Sequence, residues 1–511
     1  MLLLLSQRNR CGDGWRLMVP IRVRRAGAES TYAPHRCQGR GASSVMAPRD
    51  FQRVSTGALA GFGASGLAQN IVGTCLGVHL FIFYTDEVGL APLWVSAALF
   101  VATLWDAVFG IAMGQISDRT RWSWGRRRPY ILLGALPFGL TFAGILSPPA
   151  VLGGSGLGVY LAALLLLQFT AANVVHVPAL GLIPEMAQSY HERTRMAAWR
   201  EALGNVGDLI GLLLPFALRA ALSADAAAPA AEVDVARSAY AITGICGGAL
   251  AAVALFATYC ATYEDPDFRR AVGVPFRAGI AALRHNDAFR VLAVSSALAA
   301  LSLAFVGSMF LYVLTYVVGI SDPLVQGAVF VANIAGALAS YPFWISVARR
   351  RGKASAFRLG LIISSVAFMG VFVLQPGRLV PLIVVMAFAG AANVGFWVLL
   401  YALNADIAEV DELETGERRE GLFAGFAALL RKCAFAVAAG MVGIGLALVG
   451  YRPHAVQTPT TLLGIKLLFA VPTTLLVVAA WFAFRHFPLS SERWAEVAAQ
   501  LDARRVRTED D

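Results

Sequence analysis

Among the ionisable side chains inside runs of sequence that are otherwise apolar are Asp106, His176, Arg200, Glu201, Asp208 and Lys432. A charge at the centre of a hydrocarbon layer costs about 2.5–3.5 kcal/mol on insertion scales, so each needs a physical reason to be there. Asp106 lies about eleven residues before an arginine-rich loop, roughly 16 Å along a helix axis and close to mid-layer. Lys432 stands at a similar depth in a later run. An acid and an amine at one depth can pair, and the acid is also a seat for a proton or a cation. Arg200 offers a planar fork of donors that suits vicinal hydroxyls or a carboxylate. Asp208 and Glu201 share roughly one helix face with Arg200 and can pair with it. His176, beside Pro178, either titrates near neutral pH as a second cation or proton site or bonds a neighbouring helix. Gln69 and Asn70 can hydrogen-bond a solute or a helix. Trp397 either stacks on a sugar face or fills a core. His79 reads as a packed polar residue, and Gly61, Gly63 and Gly66 read as helix-packing positions.

The elements that must position these residues are membrane spans. Hydrophobic residues make up 58% of the 511 and charged residues 14%, against about a quarter charged in soluble domains. Apolar runs of 18 or more residues recur, each long enough to cross about 30 Å of hydrocarbon. Twelve spans are expected, near 57–85, 92–117, 129–148, 156–186, 197–222, 237–262, 289–319, 323–347, 357–376, 379–407, 421–449 and 461–485. The formal charge of +10 does not indicate nucleic acid, because the arginines cluster in short loops between spans. These loops hold Arg119 to Arg128, then Arg193 and Arg195, then Arg269, Arg270, Arg277 and Arg284, then Arg349 to Lys353, then Arg418 and Arg419. The alternate loops are nearly free of Lys and Arg, with Arg378 and Arg452 as exceptions. The positive-inside rule therefore places the arginine-rich loops and both termini in the cytoplasm, with the chain multi-pass in the inner (plasma) membrane.

Residues 1–50 form a basic Gly-, Ser- and Arg-rich extension expected to be disordered, with Met46 as an alternative start. The connection 263–288 divides the rest into bundles of six spans at 51–262 and 289–486, with a tail at 487–511. Within the tail, Trp494, Val497, Ala498 and Leu501 could line one side of a short amphipathic helix. The halves echo one another, since arginine-rich turns follow spans 2 and 8 and acidic turns follow spans 4 and 10. Two such repeats with a solute site between them describe an all-α membrane protein of the major-facilitator fold. Four of the six cysteines, Cys75, Cys246, Cys260 and Cys433, lie in apolar runs, and no Cys-x-x-Cys or zinc spacing occurs. No His-Glu-x-x-His, Gly-x-Ser-x-Gly or paired-aspartate pattern points to an enzyme, and no cofactor is expected.

Several separated motifs resemble one family. Gly61-Phe-Gly-Ala-Ser-Gly66 and Phe83-Tyr-Thr-Asp-Glu-Val-Gly-Leu90 are followed by Trp105-Asp-Ala, Asp118-Arg-Thr and Trp124-Gly-Arg-Arg-Arg-Pro129. Later come Phe396-Trp-Val-Leu399, Ala405-Asp-Ile407, Asp411-Glu412, Thr415-Gly416, Arg418-Arg-Glu-Gly421 and Lys432 before Gly450-Tyr451. Across about 50–487 the chain is similar to the glycoside–pentoside–hexuronide:cation symporters, the melibiose permease-like family. The resemblance implies alternating access and uptake of a glycoside driven by Na⁺, Li⁺ or H⁺. It also implies a cation role for Asp106, and places Arg200, Trp397 and Lys432 near the sugar or the cation.

Three places depart from the family pattern. Where the family often has a second acid one turn after the first, this chain has Gly110. A sugar-binding acid on span 4 is His176 here, with Leu180 for a nearby tryptophan, and a sugar-binding acid on span 1 is Ala68. One acid and a nearby histidine suit a proton better than Na⁺, which takes several oxygen ligands as other hard cations do. The expectation is therefore an H⁺- or Na⁺-coupled symporter of a sugar or glycoside, or, alternatively, of a lysolipid-like solute. Asp106 and His176 would take the cation. Arg200, Trp397, Lys432, Gln69 and Asn70 would line the solute site. Asp118, Arg119, Arg126 and Glu185 would act as charged latches that break when the cavity opens inward. The expected partners are a small solute and the lipid bilayer, with a monomeric chain.

Overall fold

The computed structural model describes residues 53–120, 122–187, 190–223, 229–264, 286–415, 420–489 apart from 454 and 456, and a few positions up to 500. The N-terminal extension, Arg121, most of the 263–288 connection with its four arginines, Arg418, Arg419, Trp494, Ala498 and Leu501 lie outside the described residues.

Twelve helices among the described residues are long and apolar enough to cross a membrane. Lipid offers backbone groups no hydrogen-bond partner, so each apolar run must satisfy its own N–H and C=O groups as a helix. The first half comprises α1 (Thr56–Ile82), α2 (Pro92–Arg119), α3 (Arg128–Leu146), α4 (Gly154–Gly181), α5 (Tyr190–Ser223) and α6 (Pro229–Ala261). The second comprises α7 (Asp287–Tyr312), α8 (Pro323–Arg351), α9 (Lys353–Met369), α10 (Leu379–Thr415), α11 (Glu420–Leu448) and α12 (Pro459–Phe484). Side-chain oxygens of Ser55, Asn286, Asp322 and Thr458 accept from first-turn backbone N–H groups and start four of these helices.

One boundary differs from the sequence reading. Arg349 to Lys353 was expected as a loop, but the arginines form the last turn of α8 and Lys353 starts α9. Only Gly352 separates them, at φ +80, a conformation that costs glycine little. Cations in the last turn also face the negative end of the helix dipole.

The halves use the same pairings. α1 packs on α5 and α6, α2 on α4, and α3 on α6; correspondingly α7 packs on α11 and α12, α8 on α10, and α9 on α12. The halves meet through α2 with α11, α5 with α8, and α1 with α7, a set that a twofold exchange of the halves maps onto itself. Both α1 and α7 end in a π-helical turn, Phe83–Glu87 and Val313–Val317. In these turns Val88 and Val318 N–H donate to Phe83 and Val313 O at 3.0 Å in each case. Each turn closes on a left-handed glycine, Gly89 at φ +84 and Gly319 at φ +75.

Apolar packing is not even along the membrane normal. One buried cluster takes in first-half residues from both ends, together with Phe305, Phe310, Leu382, Val442 and Phe469 of the second half. Those five lie toward the end opposite the arginine loops. The arginine-bearing ends of the second-half helices form a separate cluster around Phe289, Phe357, Leu403, Phe423 and Phe484. The described cores therefore join the halves at the opposite end and are separate toward the arginine-bearing end.

Within the second half, α8 and α10 approach closely. A Cβ on Gly336 would lie 2.0 Å from Ala387 O, and one on Gly390 would lie 1.9 Å from Asn333 O. Both obstacles are backbone and cannot rotate away. Gly390→Leu is expected to destabilise the second half by roughly 1–3 kcal/mol through overpacking, read as a lower melting temperature of the purified protein in detergent. Leucine at Gly307, where an added Cβ meets nothing within 4 Å, is the comparison expected to leave it unchanged.

Candidate functional site

Asp106 sits midway along α2, where α4 and α11 converge on it. Asn173 Nδ2 of α4 donates to Asp106 Oδ1 at 2.7 Å. Lys432 Nζ of α11 lies 2.8 Å from Asp106 Oδ2. Each carboxylate oxygen thus has its own donor, and one donor belongs to the other half. Gly110, one turn along α2, makes room for this: a Cβ there would lie 2.8 Å from Asn173 Oδ1 and 3.7 Å from Lys432 Nζ.

Along α1 and α5 a second polar group forms. Arg200 Nη2 donates to Gln69 Oε1, and Arg200 Nη1 lies 3.3 Å from Glu201 Oε1. Asp208 does not pair with Arg200 in the geometry; it accepts from Asn70 Nδ2 at 3.0 Å and from Thr74 Oγ1 at 2.5 Å. Gln69 and Asn70 therefore split their partners between the arginine and the acid two turns further along α5. This tie holds two charged side chains of α5 against α1.

His176 is 7% exposed, and neither ring nitrogen has a hydrogen-bond partner among the described residues. Phe138 meets the ring edge-on at 5.4 Å. The residue against Asp106 is Asn173, one turn earlier on α4, and not the expected His176. Trp397 on α10 stacks with Tyr401 at 6.2 Å, and Tyr401 is exposed. His79 is packed, lying 2.9 Å from Leu212 O and 3.2 Å from the Tyr240 hydroxyl. The structure thus brings together Asp106 with Lys432 and Arg200 with Gln69, and holds His176 and Trp397 in the surrounding helices. Asn173 and Thr74 escaped the sequence reading because uncharged polar residues are common in spans. Asn173 had one usable signal, its place three residues before His176 on the same helix face.

Among the described residues at the arginine-bearing end, charged side chains of the first half pair with one another. Arg127 Nη2 lies 2.7 Å from Asp118 Oδ1, Arg126 Nη2 lies 2.5 Å from Glu185 Oε1, and Arg127 Nη1 lies 3.3 Å from Glu185 Oε1. Glu264 accepts the backbone N–H groups of Arg126, Arg127 and Arg128 at 2.6, 2.7 and 2.7 Å, which caps the start of α3 with a negative charge. Burial lowers the Arg127 pKa from its ordinary value, against the pull of Glu185. The guanidinium lies over Gly181, where a Cβ would come within 1.8 Å of Nη1. Arg119 has no ion pair among the described residues. Of the four expected latch residues, Asp118, Arg126 and Glu185 take part in these pairs, with Arg127 as the shared partner of Asp118 and Glu185. Among the described residues the second half carries a comparable pair, Lys353 Nζ with Asp406 Oδ1 at 2.6 Å.

A family model described as MFS/sugar transport protein matches residues 61–491. The glucuronide carrier protein homolog of Escherichia coli is 24% identical over 456 residues, covering 89% of this chain and 97% of that protein. The sodium-dependent lysophosphatidylcholine symporter 1 of Gallus gallus is 24% identical over 468 residues, covering 85% and 87%. Among solved structures, a bacterial homolog of the human lysosomal transporter Spinster, in an inward-facing and unoccupied conformation, aligns with a TM-score of 0.62. That likeness covers 84% of this chain and 96% of the other at 16% identity.

Arg127 is buried and bonds both Asp118 and Glu185, while Glu185 keeps Arg126 as its other cation. Arg127→Met therefore removes two charge-assisted contacts without leaving Glu185 unpaired and is expected to cost about 1–3 kcal/mol of stability, whereas Arg119→Met should stay within about 0.5 kcal/mol. Thermal unfolding of the two purified variants side by side checks the contrast.

Proposed function

The chain belongs to the MFS/sugar transport family, and on that premise we propose that it is a cation-coupled symporter of a sugar or glycoside. It works by alternating access across the inner membrane, with the arginine-bearing end and both termini in the cytoplasm. The observation that carries the reading is Asp106, a carboxylate deep in α2 whose second oxygen is held by Lys432 from the other half. A cation or proton arriving at Asp106 competes directly with Lys432. Loading the acid therefore weakens a contact between the halves, which is the physical link a coupled carrier needs.

The geometry around Gly110 favours a proton as the coupling ion. A second acid there would project into the place taken by Asn173 and Lys432. One carboxylate supplies two oxygens, and both already accept from donors, while hard cations of this kind take several oxygen ligands. A proton needs only one. For the solute, Arg200 supplies donors to hydroxyls or a carboxylate, Gln69 holds that guanidinium in place, and the Trp397–Tyr401 pair gives a flat face for a ring. His176, with both nitrogens unpartnered, is poised to bond a solute or a proton. Asp118, Arg126 and Glu185, organised by Arg127, shape the loop that must meet the second half when the cytoplasmic end closes.

A second reading keeps the fold and changes the solute to a lysolipid-like molecule. Leu180, where the family has a tryptophan, is 44% exposed, and one relative is named a lysophosphatidylcholine symporter. A labelled panel of sugars and lysolipids in proteoliposomes, with and without Na⁺ and with an imposed pH gradient, separates the readings. The expected result is accumulation of a sugar driven by the proton gradient without Na⁺. Asp106→Asn is expected to lose accumulation against a gradient at least about tenfold while still exchanging solute down its gradient, because the acid carries the coupling step. Retained uphill uptake by this variant would remove Asp106 from the mechanism, and lysolipid uptake without sugar uptake would establish the second reading.

A further inference from the structure

The halves meet at the opposite end through a carboxylate that the solute and cation sites do not use. Asp86 lies in the π-helical turn that ends α1 and is 8% exposed. Tyr451, from the α11–α12 connection, donates its hydroxyl to Asp86 Oδ1. Tyr316, from the turn that ends α7, donates to Asp86 Oδ2 at 2.6 Å. The two phenol oxygens are 3.1 Å apart. Thr85 Oγ1 lies 2.7 Å from Asp86 Oδ1 and 2.5 Å from the Tyr312 hydroxyl. Tyrosine rings close around the contact, with Tyr312 and Tyr316 meeting Tyr451 edge-to-face at 5.3 and 5.4 Å. Three phenols of the second half thus gather on one first-half turn.

The position of this cluster is dictated by the repeat. Counting back from the left-handed glycines, Asp86 stands three residues before Gly89 and Tyr316 three residues before Gly319. The two residues hold the same place in the two repeats, and they bond each other where the repeats face across their twofold relation. π-turns are uncommon and recur at functional positions; here each one aims its polar residue at the other half. We propose that Asp86, Tyr316 and Tyr451 form the latch that keeps the end opposite the arginine loops closed, and that the carrier opens at that end only when these hydrogen bonds separate.

Three facts give the latch its strength. The acceptor is a carboxylate, and hydrogen bonds to charged groups are worth more than neutral ones. The site is buried, so a parted carboxylate or phenol must recover its partners from water that enters only on opening. Burial and the Asp86 charge also raise the Tyr451 pKa above its ordinary value, so the phenol stays a donor. Among the described residues at the arginine-bearing end, Arg126, Arg127, Asp118 and Glu185 pair within the first half and Lys353 pairs with Asp406 within the second.

The inference rests on the alternating-access reading but not on the identity of the solute, so it is tested by distance and without transport. Spin labels at Val151→Cys and Gln375→Cys report the opposite end, and labels at Trp124→Cys and Arg350→Cys report the arginine-bearing end, with the native cysteines replaced by serine. Pulsed electron paramagnetic resonance on the full chain in lipid nanodiscs gives each distance distribution. Asp86→Asn and Tyr451→Phe are expected to raise the population with a longer Val151–Gln375 distance by about tenfold, the loss of one buried charge-assisted bond, and to raise the shorter Trp124–Arg350 population with it. Tyr316→Phe removes a single hydroxyl and serves as the third variant should either of the others fail to fold. Tyr240→Phe removes a buried phenol that bonds His79 within the first half and is expected to change neither distance. Unchanged distances in folded Tyr451→Phe and Tyr316→Phe, or an equal shift in Tyr240→Phe, would overturn the latch. A sugar panel that fails while the distances shift would leave the latch standing and remove only the proposed solute.

Discussion

A carboxylate in the middle of a membrane cannot stand alone, and the way Asp106 is accommodated constrains three helices at once. Its two oxygens take one donor from α4 and one from α11. α2 therefore cannot rotate about its axis without leaving a charge in hydrocarbon. The insertion cost of such a charge is comparable to the entire effect of a typical destabilising mutation. The same pair also joins the two halves, Lys432 reaching Asp106 from α11. An interaction that is expensive to break in the membrane but can be exchanged for a proton or a solute group is a natural point on which to hang a conformational change.

Around that point the packing divides the labour. Glycines let backbones touch where helices must not separate, as between α8 and α10, where Gly336 and Gly390 face carbonyls. Apolar side chains seal the halves toward the opposite end, while two separate cores face each other across the arginine-bearing end. Among the described residues, the buried ion pair of Arg127 with Glu185 at that end lies within the first half. Rigid halves and a seam of unequal strength are what a rocking motion requires, because motion is then concentrated at the seam and the cores stay intact.

Most of this architecture was legible in the chain. Twelve apolar runs leave few alternatives in lipid, since only helices satisfy the backbone there, and loop arginines marked the ends. The Asp106–Lys432 pair was legible from depth alone. What the sequence did not reveal was which neutral polar residue would complete a charged one. Asn173 rather than His176 reaches Asp106, and Asp208 turns to Asn70 and Thr74 rather than to Arg200. Helical periodicity assigns a residue to a face within about a turn, whereas hydrogen bonding depends on rotamer and on small offsets between helices. Arg127 was hidden among five loop arginines for a similar reason. Identical side chains in one loop are told apart only by which of them finds a buried acid, and Gly181 clears the space for that one.

The repeat sets a further limit on how the halves can differ. Positions related by the twofold exchange face each other where that relation brings the halves together, so identical polar residues there would meet their own kind. Two acids at the places of Asp86 and Tyr316 would repel in a buried site, and two phenols would leave no strong acceptor. Joining both repeats in one chain lifts the requirement of identity. The turn, the left-handed glycine and the backbone hydrogen bonds have stayed common to both, while the side chains at the meeting point differ as donor and acceptor. The shared backbone brings the two positions together, and the divergence in side chains is what makes their meeting a bond that can open and close.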